Sequence, residues 1–85
     1  MSEDARIKIY KTEYCGYCRM AAQLLDARGI NYEEVTVDDH ESRMAIVEKT
    51  GWRTVPIITL DEELIGGYDD LLALDRSGEL QKKLG

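Results

Sequence analysis

The chain holds no phenylalanine, one proline, one tryptophan, one histidine and two cysteines among its 85 residues. Two cysteines exclude a disulfide-built scaffold, so a domain this small must pack Ile, Val, Leu, Met and Ala efficiently to stay folded. No apolar run approaches the roughly 20 residues that cross a bilayer. Positive charge is scarce: 11 Lys and Arg against 17 Asp and Glu leave a net charge of −6. Nucleic acid and anionic membrane both need a basic face, so neither is expected as a partner, and the acidity reads as solubility. The opening Met1-Ser2-Glu3-Asp4 is acidic with no apolar run behind it, unlike a secretory signal. A cytoplasmic, reducing setting is therefore expected, where a close cysteine pair serves catalysis or metal binding more often than structure. Length and the lack of repeats, linkers or low-complexity stretches suggest one domain over residues 1–85.

The elements present follow from periodicity. Arg6 to Tyr10 alternates polar and apolar residues, as a strand does. Cys15 to Arg28 has helical spacing, with Ala22, Leu25, Cys18 and Ala21 on one face and Gly29 as the stop. Asn31 to Val37 is again a strand, which completes a right-handed βαβ unit. Asp38, with Glu41 three residues on, predicts a capping box opening a helix that carries Met44, Ile46 and Val47 and ends at Gly51. Val55 to Leu60 is the most apolar run and reads as a buried strand with Pro56 at its start. Asp61 and Glu62 turn into a short strand, Glu63 to Ile65, before Gly66-Gly67 breaks the chain. Asp69 and Asp70 open the last helix, which Ser77-Gly78 interrupts. The order βαβαββα predicts an α/β fold with a four-stranded mixed sheet and helices on both faces.

Cys15-Gly16-Tyr17-Cys18 follows the first strand and opens the first helix, and a Cys-x-x-Cys beside a βαβ unit reads as a thiol–disulfide redox site. Cysteines three apart at a helix start lie within disulfide reach if the first sits at the cap, where the backbone is not yet helical. There the unpaired N–H groups and the helix dipole favour a thiolate, aided by Lys11 and Arg19, and lower a cysteine pKa to roughly 3.5–7.5 from about 8.5. Cys15 is thus the expected nucleophile. Cys18, one turn inside and more buried, is the expected resolving thiol. The competing readings are two inert buried thiols and a zinc site. Zinc wants four ligands, and the remaining candidate, His40, is remote in sequence and reads as a solvated surface residue.

Three segments in order, Cys15-Gly16-Tyr17-Cys18, Thr54-Val55-Pro56 and Gly66-Gly67-Tyr68-Asp69-Asp70-Leu71, resemble the glutaredoxin family, over about Arg6 to Leu84. The likeness is nearest to the small bacterial dithiol members. It implies a thioredoxin fold with a cis Pro56 and a monomer that uses glutathione as co-substrate to reduce protein disulfides and glutathionylated proteins. By position, the resemblance makes Cys15 the group that takes the glutathionyl moiety. The Val55 backbone pairs with the glutathione cysteine, and the N–H groups of Tyr68 and Asp69, after Gly67, meet the γ-glutamyl carboxylate. The Asp69 carboxylate takes the γ-glutamyl ammonium, Tyr17 lines the groove beside Thr54 and Pro56, and Arg53 and Lys11 are candidates for carboxylate contacts. Taken singly, Asp69 is an ordinary helix cap, Arg53 a surface charge and Trp52 a packing or rim residue.

The chain departs from the family pattern at four places. Gly16 replaces the usual proline, and Thr12 stands where a lysine is common, with Lys11 one step earlier. Tyr68 stands where cysteine or serine is common, and the strand after Pro56 has no phenylalanine. Gly16 keeps a second function in view, an iron–sulfur carrier in which two chains hold one [2Fe–2S] cluster through Cys15 of each and two glutathiones. A third is a redoxin of the same fold reduced by thioredoxin reductase, against which the glutathione-site residues argue.

Overall fold

In a computed structural model, which describes residues 5–85, β1 (Ile7–Lys11) is the inner strand from which the sheet is built. It pairs in parallel with β2 (Tyr32–Thr36) and antiparallel with β3 (Ile57–Leu60), which pairs antiparallel with β4 (Glu63–Gly66). The strand order is therefore β2-β1-β3-β4, a mixed four-stranded sheet as expected. Met1 to Asp4, whose acidity bore on the question of a signal segment, lie outside the described residues.

Helices cover both faces. α1 (Gly16–Ala27), α3 (Tyr68–Ser77) and α4 (Glu79–Leu84) lie on one side, where Ala21, Leu25, Leu71 and Leu80 pack on Ile7, Ile9, Ile58 and Leu60. α2 (His40–Thr50) lies on the other, where Ile46 packs with Val37 and Ile57. All of β3 is buried because both of its faces are covered, which is why its sequence shows a continuous apolar run rather than alternation. Thioredoxin-fold proteins have this arrangement of sheet and helices.

Several element boundaries move by a residue or two, with identifiable causes. The cap of α2 is Asp39, not Asp38: its carboxylate accepts the Ser42 N–H at 2.9 Å, while Asp38 accepts the Glu13 N–H at 3.0 Å. Two adjacent aspartates divide the work, one holding a helix and one the loop before Cys15. β3 begins after Pro56, whose ring nitrogen has no hydrogen to donate to a ladder. At the other end, Gly78 adopts φ 83° and splits the last helix into α3 and α4. Arg6 ties that end down. Its guanidinium meets Asp61 at 2.7 Å and donates to the carbonyls of Lys83 and Leu84 at 3.2 and 3.0 Å. Arg28 joins α1 to α3 through Asp75 at 2.8 Å. Among the described residues no helix is long and apolar enough to cross a membrane.

Candidate active site

Cys15 is the N-cap of α1. Its backbone is extended (φ −126°, ψ 107°) and its sulfur accepts the Cys18 N–H at 3.1 Å. A thiol can serve as a helix cap this way because the first-turn N–H groups have no partner inside the helix. The two Cα atoms are 5.2 Å apart and the sulfurs are joined as a disulfide. The pair is asymmetric: Cys15 is half-buried and Cys18 is 2% exposed. Substrate therefore has access to the first sulfur and not to the second. Gly16, the first helical residue, has open space where a side chain would stand.

Tyr17, 60% exposed, leads from the cysteines to a groove of about 240 Å³. One wall is the segment entering β3, with Trp52, Thr54, Val55 and Pro56, and the Val55–Pro56 bond is cis. The opposite wall is the start of α3, with Gly67, Tyr68, Asp69 and Asp70. The Tyr17 and Tyr68 rings, centroids 6.1 Å apart, meet across it. Gly67 caps α3 without a side chain, and Asp70 reaches back to accept the Gly67 N–H at 3.0 Å. The first-turn residues whose N–H groups have no partner inside the helix thus line the groove, an arrangement that suits an anion. A side chain on Gly66, at φ 127°, would collide with the Asp70 carboxylate that makes this cap. Larger hollows exist, such as one of about 350 Å³ between β4 and α3, but none of its lining residues comes from the Cys15–Cys18 turn, which gives the 240 Å³ groove its Tyr17.

Tyr17, Thr54, Val55, Pro56, Gly67, Tyr68 and Asp69, singled out in the sequence, thus meet around one cavity, which Cys15 and Cys18 do not line themselves and which Tyr17 between them does. Lys11 and Arg53 are not among its lining residues. Lys11 pairs with Glu34 on β2 at 3.2 Å, and the exposed Arg53 offers its carbonyl to Arg43 of α2 at 3.3 Å. Two lining residues have no site role in the sequence reading, Trp52 and Asp70. The three-residue step from Gly67 to Asp70 is the spacing of a reach-back cap and was open to detection. Nothing local to Trp52 signals its position. His40 is exposed at the start of α2. Among the described residues no three His, Cys, Asp or Glu side chains gather in a way that would hold a metal.

Comparison with known proteins agrees with this geometry. The family model described as Glutaredoxin matches residues 7–65. Glutaredoxin 3 of Escherichia coli (strain K12) is 40% identical over 81 residues, covering 94% of this chain and 98% of that protein. Among solved structures, the holo form of glutaredoxin C1 from Populus tremula x tremuloides superposes with a TM-score of 0.83 at 30% identity, over 92% of this chain and 81% of that one. A buckwheat glutaredoxin–glutathione complex superposes with a TM-score of 0.77 at 29% identity, over 91% and 74%. A family match running from the first strand to the last, on a fold that caps a helix with one cysteine of a disulfide pair, has a plain meaning: the chain belongs to the glutaredoxin family and is a thiol–disulfide oxidoreductase.

Proposed function

We propose that this protein uses glutathione to reduce protein–glutathione mixed disulfides and protein disulfides, with Cys15 as nucleophile and the groove as the glutathione site. The observation that carries this reading is one cavity that joins Val55 to the first turn of α3 and is lined by Tyr17, two residues from the helix-capping Cys15. A glutathione complex of a structurally similar buckwheat protein supports it. The ligand's cysteine would pair with the Val55 backbone as a short strand. Its γ-glutamyl carboxylate would take the N–H groups of Tyr68 and Asp69, and its ammonium the Asp69 carboxylate. Arg53 and the neighbouring Arg43 would supply positive charge toward the glycine end, while Lys11 acts at longer range.

The reduced Cys15 thiolate attacks the glutathionyl sulfur of a mixed disulfide. The substrate thiolate leaves and picks up a proton, and Cys15 carries the glutathionyl group. A second glutathione thiolate attacks that group, releasing glutathione disulfide and restoring the Cys15 thiolate. With a protein disulfide, Cys15 first forms a mixed disulfide with the substrate. Cys18, deprotonated as it attacks, displaces the substrate thiolate from Cys15, and two glutathiones reopen the Cys15–Cys18 bond. Family potentials of roughly −200 to −230 mV lie near the glutathione poise of a reducing compartment, so exchange runs in either direction.

The deciding measurement is glutathione-dependent turnover of a small glutathione mixed disulfide. Cys15→Ser is expected to be inactive and Cys18→Ser to retain turnover of this substrate, because the second thiol enters only the protein-disulfide route. Full activity in Cys15→Ser removes the assignment. Asp69→Ala should raise the glutathione concentration needed for half-maximal rate, since the ammonium loses its charged partner. The cluster-carrier reading uses the same Cys15, and anaerobic purification separates the two: a brown protein supports the cluster, a colourless active one the exchange reaction.

A further inference from the structure

Trp52 occupies an unusual place in the groove. Its backbone is tied to α2: Gly51 ends that helix at φ 78°, and the Trp52 N–H donates to the Thr50 hydroxyl at 3.1 Å, which itself donates to the Ile46 carbonyl at 2.8 Å. From this anchor the indole packs on the Val37–Ile46–Ile57 cluster and reaches the opposite wall. A methyl group built on Gly67 would lie 3.7 Å from indole atoms Cζ2 and Nε1 and 3.8 Å from the Pro56 carbonyl oxygen. The edge of the indole, the Pro56 carbonyl and the cap of α3 therefore converge on one point.

The indole nitrogen is buried there with no hydrogen-bond partner. A buried N–H without an acceptor is a net cost, and a phenyl ring would avoid it. What the indole contributes is its extent: a flat, rigid body wide enough to reach from the β3 entry to the start of α3. These two walls are the ones to which the glutathione reading assigns the cysteinyl backbone and the γ-glutamyl carboxylate. A ligand of fixed length engages both at once only if they stand at its span, and small errors in such placement are expensive.

We infer that Trp52 is a positioning residue that sets the spacing between the Val55 wall and the α3 wall, and so makes the enzyme select γ-glutamyl-cysteinyl disulfides over simple cysteinyl ones. The inference rests on the proposed glutathione site. A cysteinyl ligand touches the Val55 wall alone and does not sense the spacing.

The test follows single-turnover attack by pre-reduced protein on two mixed disulfides, glutathione with 2-mercaptoethanol and cysteine with 2-mercaptoethanol. In each, Cys15 bonds to the glutathionyl or cysteinyl sulfur and 2-mercaptoethanol leaves. Trp52→Ala should slow the glutathionyl reaction about tenfold while leaving the cysteinyl reaction and the iodoacetamide alkylation of Cys15 unchanged. Trp52→Phe, which keeps a ring but not the width that reaches α3, should recover only a small part of the glutathionyl rate. A Trp52→Ala protein that keeps the wild-type preference overturns the inference, as does one slowed equally on both substrates. Trp52→Phe that restores the full wild-type preference also overturns it, because the width of the indole is then not what sets the spacing. A wild-type protein that takes both substrates equally overturns the glutathione reading itself, and this inference with it.

Discussion

Single residues at the start of α1 carry the chemistry, and one of them departs from the family pattern in a way that predicts a stability change. Gly16 is the first helical residue, where the N–H has no partner within the helix and proline is favoured. Cys15 before it already has the extended backbone that a following proline requires, and no atom stands within 4 Å of where a Gly16 side chain would begin. Gly16→Pro should therefore stabilise the reduced protein by about 0.4–1 kcal/mol, chiefly by narrowing the unfolded ensemble. Urea unfolding under reducing conditions reads this directly, and a lower midpoint in the variant would count against it. At this scale the sequence was informative about Cys15 and Cys18, whose placement at the cap and one turn inside α1 follows from their spacing. It was less so about Asp38 and Asp39. Either aspartate has the chemistry of a cap, and only the approach of Glu13 decides which is left to do it.

Among the elements, α2 shows how pattern can mislead. Its sequence offers Met44, Ile46 and Val47 as the apolar face, yet Met44 is 38% exposed and Ile46 is 6% exposed, with Val47 between. The helix has a weak amphipathic pattern and is held to the sheet largely through Ile46 and the neighbouring Trp52. Ile46→Ala should cost about 2–5 kcal/mol, whereas Met44→Ala should stay within about 0.5 kcal/mol. Equilibrium unfolding of the two variants separates them, and equal losses would mean the face is misassigned. Because Trp52 is anchored to the end of α2 through Thr50, loosening this helix also reaches the groove. The strands were more legible than their ends. β1 alternates because one face meets α1 and α3, and β3 does not alternate because both faces are covered.

For the molecule as a whole, three carboxylates link stability to pH. The Ser42 backbone and side chain hold the Asp39 carboxyl below its ordinary value. Arg6 does the same for Asp61, and Arg28 for Asp75. A lowered folded-state pKa means that the fold favours the ionised form. The contribution is complete above the unfolded value of about 3.9 and is lost as pH falls through the lowered folded values. The melting temperature should hold level from about pH 7 to pH 5 and drop below about pH 4. Asp75→Asn, which removes the α1–α3 ion pair, should melt lower at neutral pH and lose less on acidification. An equal acid slope in wild type and variant would exclude this pair as a source of the dependence.

Local spacing alone determined where the cysteine pair sits, that four strands form, and that a βαβ unit comes first. Those features depend on periodicity, on glycine and proline, and on the unpaired N–H groups of a helix start, all of which act over a few residues. Tertiary structure decided the rest. Whether Lys11 faces a ligand or Glu34 depends on the register of β1 against β2. Whether Trp52 is rim or wall depends on how close α3 comes to the loop before β3, a contact between segments that the sequence separates and packing brings together.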